Sequence, residues 1–201
     1  MRLWPWRIAA WALALVPLGE LLWRGFHAQL GANPIEFVEH FTGLWSLRLL
    51  LVTLAMTPLR TLTGRLEPIR IRRTLGLWAY AFVCLHFSIY LIFDLEFSPA
   101  QLADDLLKRT YITLGFSAWL LLLPLAITST NSWQRRLKRH WKTLHRLIYP
   151  AIVLGGLHYL WLVKADIHDP LTYLAVIAVL LTYRLPWRGI LRARSAPEPT
   201  L

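Results

Sequence analysis

Six apolar stretches of 18 to 24 residues divide this sequence, and they limit what the chain can fold into. They cover residues 6–24, 41–58, 74–97, 110–128, 144–163 and 170–187. A helix needs about 20 residues to cross a hydrocarbon core of about 30 Å. Within lipid the backbone must satisfy its own hydrogen bonds, so helices are the reasonable structure for segments of this length. The sequence therefore predicts an all-α membrane protein, built as a bundle of six transmembrane helices.

The same stretches account for almost the whole chain. We therefore expect one domain over residues 1–194, followed by a short flexible C-terminal tail, residues 195–201. The first stretch comes after basic residues, as a signal peptide would, but no small-residue cleavage pattern follows it. We interpret it as a retained first helix.

The segments that connect the stretches alternate in charge. Residues 59–73, 129–143 and 188–194 are rich in arginine and lysine. Residues 25–40, 98–109 and 164–169 carry at least as many acidic as basic residues. By the positive-inside rule the basic segments face the cytoplasm, which places both termini there. The net charge of +11 is then a topology signal rather than a nucleic-acid surface.

The chain has a single cysteine, Cys84, in the middle of an apolar stretch. One cysteine excludes a disulfide within the chain and any site for zinc or an iron–sulfur cluster built on several cysteines. Redox chemistry would therefore need other ligands.

Two of the seven histidines, His86 and His158, lie well inside apolar stretches. A lone buried imidazole usually makes a helix–helix hydrogen bond. These two follow the basic inner ends of parallel helices by 13 and 16 residues, so both lie about 20 to 24 Å along their helices. Two histidines at one level in the outer half of the membrane predict a pair of axial ligands for a heme iron. Gly155 and Gly156 would leave room for the flat macrocycle.

The other five histidines are weaker candidates. His27, His40, His140 and His168 fall in or beside the connecting segments, where water satisfies an imidazole. The fifth, His145, lies 13 residues before His158, about 20 Å toward the cytoplasmic side.

A second heme at that inner level would need a ligand near position 72, which is Arg72. His145 could ligate a second heme with a partner other than histidine, contact a propionate or a quinone, or lie at the wet inner end of its helix. Arg72 could pair with a heme propionate or a flavin phosphate, since the guanidinium fork suits both, or it could mark the membrane interface.

Five blocks of the sequence resemble the ferric-reductase-like transmembrane family. They are GANPIEFVEHFTG (31–43), MTPLR (56–60), IRRTLGLWAYAFVCLHFSIY (71–90), TYITLGFSAWLLLLPLAITST (110–130) and LHRLIYPAIVLGGLHYLWLVK (144–164). Together they extend over nearly the whole chain except the N-terminal helix and the tail.

The resemblance implies a multi-pass b-type cytochrome of the bacterial inner membrane. Such a protein takes electrons from the respiratory quinone pool and passes them to a periplasmic molybdopterin enzyme that reduces methionine sulfoxide in oxidised proteins. The resemblance also implies FMN, which these residues do not place, and heme b on His86, His145 and His158. Many relatives have a fourth histidine where this chain has Arg72. The sulfoxide-reducing site would then lie in the partner, and this chain would be an electron-transfer subunit.

Two other functions stay open. One is a transmembrane ferric or quinone reductase with a different electron acceptor. The other is a small transporter or assembly protein whose intramembrane histidines bind protons, a metal or each other. That protein would be colourless.

Overall fold

The computed structural model describes residues 3–163 and 166–184, and nearly all of them are helical. The α-helices are α1 (Trp4–Phe26), α2 (Pro34–Thr63), α3 (Glu67–Ile89), α4 (Pro99–Lys108), α5 (Thr110–Ile127), α6 (Asn131–Leu137), α7 (Arg139–Leu144), α8 (Ile148–Leu162) and α9 (His168–Thr182). A π-helical turn, Tyr90–Asp94, extends α3, and a 3-10 turn, His145–Leu147, joins α7 to α8. The all-α prediction is confirmed for these residues.

Four helical segments are long and apolar enough to cross a membrane: Trp4–Phe26, Pro34–Thr63, Glu67–Asp94 and Thr110–Ile127. The last two helices, α8 and α9, have 15 residues each. That gives them about 22 Å of length against a hydrocarbon core of about 30 Å. The chain is thus a helical integral membrane protein, while the count of six spans and the cytoplasmic termini stay predictions. The predicted tail, residues 195–201, lies outside the described residues.

Local sequence signals set the ends of the second helix. Asn33 caps α2 by accepting a hydrogen bond from the Glu36 backbone at 3.3 Å, and Pro34 occupies the first turn, where its missing N–H costs nothing. Gly64 ends the helix with a φ of 68°, the left-handed conformation that glycine adopts without steric strain. The resulting helix of 30 residues is the longest among the described residues.

The core of the bundle lies where α2 packs along α3 and where α5 packs along α8. Leu49 and Leu54 of α2, Leu75 and Phe82 of α3 and Ile152 of α8 are almost completely buried. Helix α9 packs against α8 and α2, and α1 packs against α3 with many of its large apolar side chains exposed. Those exposed side chains suit a surface that faces lipid.

The segment of residues 98–109, expected as a connection, contains the short helix α4. The Tyr90 hydroxyl donates a hydrogen bond to Asp105 at 2.5 Å, and Asp105 pairs with Arg109 at 3.1 Å. These contacts join the end of the α3 segment to α4, beside the cavity described next.

Candidate functional site

His86 and His158 lie side by side in the structure, although 72 residues separate them along the chain. Their ring centroids are 6.1 Å apart and the ring planes are inclined by 72°. His86 comes from α3 and His158 from α8. The sequence argument predicted a common depth for these two side chains, and the fold brings them into the same space.

The backbone of α2 holds the His86 ring. Its Nδ1 lies 3.0 Å from the carbonyl oxygen of Glu39. The ring also packs against Gly43, where an added Cβ would lie only 3.2 Å from Nδ1 and Cε1. Glu39 and Gly43 are one helical turn apart, so one face of α2 supplies both the acceptor and the open space.

The backbone of α5 holds the His158 ring in the same way. Nδ1 of His158 lies 2.7 Å from the carbonyl oxygen of Tyr111. At Gly115, one turn further along α5, an added Cβ would lie 2.8 Å from this Nδ1, closer than real Cβ atoms approach. Glycine is therefore required here for the ring to reach its acceptor.

Each histidine ring thus has a cradle, made of a backbone carbonyl and a glycine on the neighbouring helix. The two cradles form an internal repeat that is hard to see in the sequence. The carbonyl, glycine and histidine positions are 39, 43 and 86 in one cradle and 111, 115 and 158 in the other, so each pair is 72 residues apart. The helix pairs α2–α3 and α5–α8 thus present their histidines by one and the same device.

The hydrogen bonds also decide which ring nitrogen is available. A carbonyl oxygen can only accept, so Nδ1 of each ring carries the proton and donates it. In the neutral imidazole Nε2 then keeps its lone pair, as a metal ligand requires. Both histidines are therefore held in the same orientation, with Nε2 as the nitrogen that is left for a ligand.

A cavity of about 300 Å³ adjoins both rings. Its size is within the range of small-molecule and cofactor sites. Its walls are mostly apolar and include Phe87, Phe116 and Trp119, whereas Glu39 and Asp94 are among its polar lining residues. The buried Nε1 of Trp119 has no hydrogen-bond partner among the described residues. An unsatisfied buried donor in a cavity wall is typical of a site that awaits an acceptor.

The residues around this cavity fit a heme. If both Nε2 atoms faced a metal midway between the rings, each centroid would lie about 3 Å from it, which agrees with a metal–imidazole bond of about 2 Å plus the distance from nitrogen to ring centre. The described residues contain no group of three or more histidine, cysteine or acidic side chains that would hold a metal ion. Two imidazoles suffice when the metal brings its own four ligands, as heme does.

The glycines that the sequence argument placed beside the heme behave differently from each other. Gly155 lines the cavity and has nothing within 4 Å of an added Cβ, so it does leave room. Gly156 instead packs against α9, where an added Cβ would lie 2.7 Å from Ile177 and 2.8 Å from Leu174. Its role is helix packing, and the glycines that the rings need are Gly43 and Gly115.

His145 lies in the 3-10 turn before α8, apart from the histidine pair. Its Nε2 is 3.2 Å from the Thr128 hydroxyl, and Trp141 stacks on the ring with centroids 3.9 Å apart. Arg72 is close enough to interact electrostatically with both His145 and Arg184. The structure therefore groups two of the candidate residues, Arg72 and His145, with an arginine that the sequence argument did not single out.

Arg184 is the third member of this inner cluster of Arg72, His145 and Arg184. One of its terminal nitrogens donates to the Leu54 carbonyl at 2.5 Å, and its guanidinium lies 5.6 Å from the Tyr149 ring centre. The other terminal nitrogen is buried without a partner among the described residues. The inner cluster is positively charged and has an unused donor.

Comparison with known proteins assigns the chain to a family. The sequence model described as ferric reductase like transmembrane component matches residues 42–156, which contain Gly43, His86, Gly115 and His145. A protein-methionine-sulfoxide reductase heme-binding subunit MsrQ from Xanthomonas euvesicatoria pv. vesicatoria is 50% identical, covering 94% of this chain and 91% of its own length. The chain belongs to the MsrQ family.

Other MsrQ proteins show similar agreement. One from Ralstonia nicotianae is 51% identical over 91% of this chain and 87% of its own length. One from Xanthomonas campestris pv. campestris is 48% identical over 96% of this chain and 93% of its own length. These MsrQ proteins are named as heme-binding subunits of a protein-methionine-sulfoxide reductase. The family resemblance drawn from the five sequence blocks is confirmed.

Proposed function

We propose that this chain is a b-type cytochrome subunit of the bacterial inner membrane. It carries electrons from the quinone pool to a periplasmic, molybdopterin-containing methionine sulfoxide reductase and so supports repair of oxidised proteins. The observation that carries the proposal is the matched pair His86 and His158, each with Nδ1 on a backbone carbonyl and Nε2 free. Heme b, when bound, supplies reversible one-electron transfer at its iron.

The protein's own part is to hold two imidazoles at a mostly apolar cavity. The carbonyls of Glu39 and Tyr111 fix the tautomer and the orientation of each ring and make the other nitrogen a better ligand. A mostly apolar lining limits solvent access, which is one of the means by which proteins tune reduction potential. The chain contributes no catalytic residue on this proposal, because sulfoxide reduction takes place in the partner.

The direction of electron flow follows from the proposed topology. With the basic connections on the cytoplasmic side, the histidine pair lies in the outer half of the membrane. A cofactor there is close to an acceptor in the periplasm. The outer segments 25–40, 98–109 and 164–169 would then meet the partner.

A second cofactor would belong at the inner cluster of Arg72, His145 and Arg184. Two arginines and a buried unpaired donor suit an oxyanion, either a heme propionate or the phosphate of FMN. Thr128 engages Nε2 of His145 and Trp141 covers one face of its ring, which favours contact with such a group over axial ligation. We therefore propose one heme b, on His86 and His158, and the phosphate of FMN as the group bound at the inner cluster.

The first test is an absorption spectrum of the detergent-purified protein, reduced with dithionite minus oxidised. We expect sharp b-type heme bands that a short-chain quinol also produces. Bands that disappear again on addition of the purified sulfoxide reductase and methionine sulfoxide would identify the acceptor. A colourless protein, produced with adequate heme supply, would contradict the proposal and favour a small transporter whose histidines bind protons or a metal.

A further inference from the structure

Arg48 is a charged side chain in the interior of α2, one of the candidate membrane spans. Its Nε donates a hydrogen bond to the Tyr173 hydroxyl of α9 at 2.8 Å, and its guanidinium lies 5.0 Å from the Trp45 ring centre. None of the ion pairs among the described residues includes Arg48. A cation inside a membrane span is costly to bury, and it usually marks a functional site.

This arginine lies near the level of the histidine pair along the bundle. Arg48 follows Gly43, which touches the His86 ring, by five residues, or about 7 to 8 Å along α2. Helical side chains lean toward the N-terminus, which brings the guanidinium back toward the level of Gly43.

A chain of contacts leads from Arg48 to the cavity. The Tyr173 ring meets the Tyr159 ring edge-on, with centroids 5.8 Å apart. Tyr159 follows His158 directly in sequence and lines the cavity. A ligand bound at Arg48 and Tyr173 would therefore lie next to the wall of the heme cavity.

The free donors of Arg48 indicate what kind of ligand fits. Its side chain is partly exposed, and its two terminal nitrogens donate to no acceptor among the described residues. In a bilayer the matching ligand is a lipid-soluble molecule that carries oxygen acceptors on a flat ring able to pack on aromatic side chains. A quinone head group has these properties, since its oxygens accept hydrogen bonds in both redox states.

We propose that Arg48 and Tyr173, with Trp45 and Tyr159 as aromatic walls, bind the head group of a membrane quinol at the surface between α2 and α9. This inference rests on the proposed function, because it names the site where the quinol of that function binds. It differs from the inner cluster, which lies toward the basic end of the bundle.

Oxidation of the bound quinol breaks its two O–H bonds and releases two electrons and two protons. The electron acceptor is the heme b of the proposed function, which takes one electron at a time. For the protons the structure offers Asp169, an exposed carboxylate one helical turn before Tyr173 on α9. Asp169 lies close enough to Tyr159 to interact with it electrostatically.

A quinol site at Arg48 would shorten the distance that electrons must travel to the histidine pair. Electrons that arrive near the cytoplasmic face must cover about 20 Å along the helix from His145 to His158. Electrons from a quinol at Arg48 start at the level of the histidine pair.

The test compares purified variants in nanodiscs with decylubiquinol as the electron donor. Arg48→Leu removes the donors, Arg48→Lys keeps the charge, and Tyr173→Phe removes one hydroxyl. Arg24→Leu is the matched control, because Arg24 is also a helical arginine but pairs with Glu20 at 2.8 Å on α1. Two quantities are measured besides the reduction rate: heme per protein, and the Kd of oxidised decylubiquinone by equilibrium dialysis.

We expect Arg48→Leu to slow quinol-driven heme reduction and weaken quinone binding by about tenfold or more, since a hydrogen bond from a charged donor is lost. Arg48→Lys should lie between this variant and wild type, and Arg24→Leu should match wild type. Heme content and reduction by dithionite should not change in any of them.

Two results would overturn the inference alone. One is wild-type reduction and binding in Arg48→Leu, which would place the quinol elsewhere. The other is loss of heme from both Arg48→Leu and Tyr173→Phe, which would make the cluster a support of the cavity. A wild type that dithionite reduces but decylubiquinol does not would overturn the quinol part of the proposed function as well.

Discussion

The two halves of this bundle, which the predicted topology makes outer and inner, treat their polar groups in opposite ways. In the outer half each histidine ring is fixed by a backbone carbonyl and a glycine, so the geometry is complete before any cofactor binds. In the inner half Arg72, His145 and Arg184 lie together, and one buried Arg184 nitrogen has no partner among the described residues. The outer site is preorganised for a neutral ligand set, whereas the inner cluster requires an anion to complete it.

The distribution of ion pairs shows the same difference. The ion pairs within the described residues join Arg24 to Glu20, Lys108 to Asp104 and Arg109 to Asp105, all at the end of the bundle that the positive-inside rule places outside. In the basic segments 59–73 and 129–143 the only acidic residue is Glu67, and it joins none of these pairs. On the predicted topology, positive charge is therefore neutralised outside and left for ligands, lipid or water inside.

The largest expected effect separates the outer histidines from the inner one. His86→Ala and His158→Ala should each abolish heme binding, because one imidazole alone leaves the cavity without its second ligand. His145→Ala should keep the heme. Heme per protein, measured as the pyridine hemochromogen, checks this, with His40→Ala as a control that alters the cavity lining without removing a proposed ligand. Loss of all heme from His145→Ala would show that the two halves are not independent.

A graded effect is expected from the glycines. Gly115→Ala puts a methyl group 2.8 Å from the His158 Nδ1, and Gly43→Ala puts one 3.2 Å from the His86 ring. Neither ring can move away without losing its carbonyl, and such overpacking costs about 1–3 kcal/mol. Heme affinity should therefore fall by roughly 5- to 150-fold, more for Gly115→Ala than for Gly43→Ala.

Gly19→Ala, in α1 and outside the cavity lining, is the matched control for this series. Its added methyl group meets nothing within 4 Å, so the variant carries the same gain in helix propensity without the contact. Heme titration of the three purified apoproteins gives the order. Equal affinities in all three would mean that the rings are not held by α2 and α5 as described.

The sequence could predict the features of this site that depend on position along one helix, but not those that depend on which helices are neighbours. The common depth of His86 and His158 follows from helix geometry alone, and the fold brings the rings together as that argument requires. Gly43 and Gly115 could not be found in this way, because their role depends on which helices are neighbours. The 72-residue spacing of the two cradles was a signal in the sequence, but glycines are too common in membrane helices for it to stand out.

The sequence analysis also did not single out charged residues that lie inside the apolar stretches. Arg48 lies among leucines, so the stretch stays apolar on average, and only the contact of Arg48 with Tyr173, 125 residues later, shows that it is part of a cluster.

The number of membrane spans could not be read from the apolar stretches alone, because the length of a helix also depends on where the folded chain bends. The apolar stretch 144–163 begins at the end of α7 and includes a 3-10 turn, so α8 itself is shorter than the stretch.

A smaller effect is expected at the inner cluster. Arg184→Leu and Arg72→Leu should lower the amount of an inner cofactor, measured as acid-extracted FMN fluorescence per protein, and leave the b-type spectrum unchanged. The loss of one charge-assisted hydrogen bond is worth about 1.5–3 kcal/mol, or roughly 10- to 150-fold in affinity. Arg73→Leu is the control, since Arg73 is exposed and donates to Asn131 at 2.9 Å. FMN retained at wild-type levels in both variants would exclude the cluster as its phosphate site.

The smallest expected effect tests how much the Tyr90–Asp105 hydrogen bond contributes to stability at the end of the bundle that carries α4. Tyr90→Phe removes the hydrogen bond to Asp105 but leaves the Asp105–Arg109 pair. The net loss for one such bond is about 1 kcal/mol, which corresponds to a Tm lower by about 2–4 °C in a chain of this size. Melting followed by heme absorbance, with Tyr183→Phe as the control, measures it. A larger drop in Tm, or trypsin cleavage at Lys108 in the folded variant, would show that this single hydroxyl holds α4 against the bundle. The order of the outer half would then depend on the segment 98–109 as well as on the two cradles.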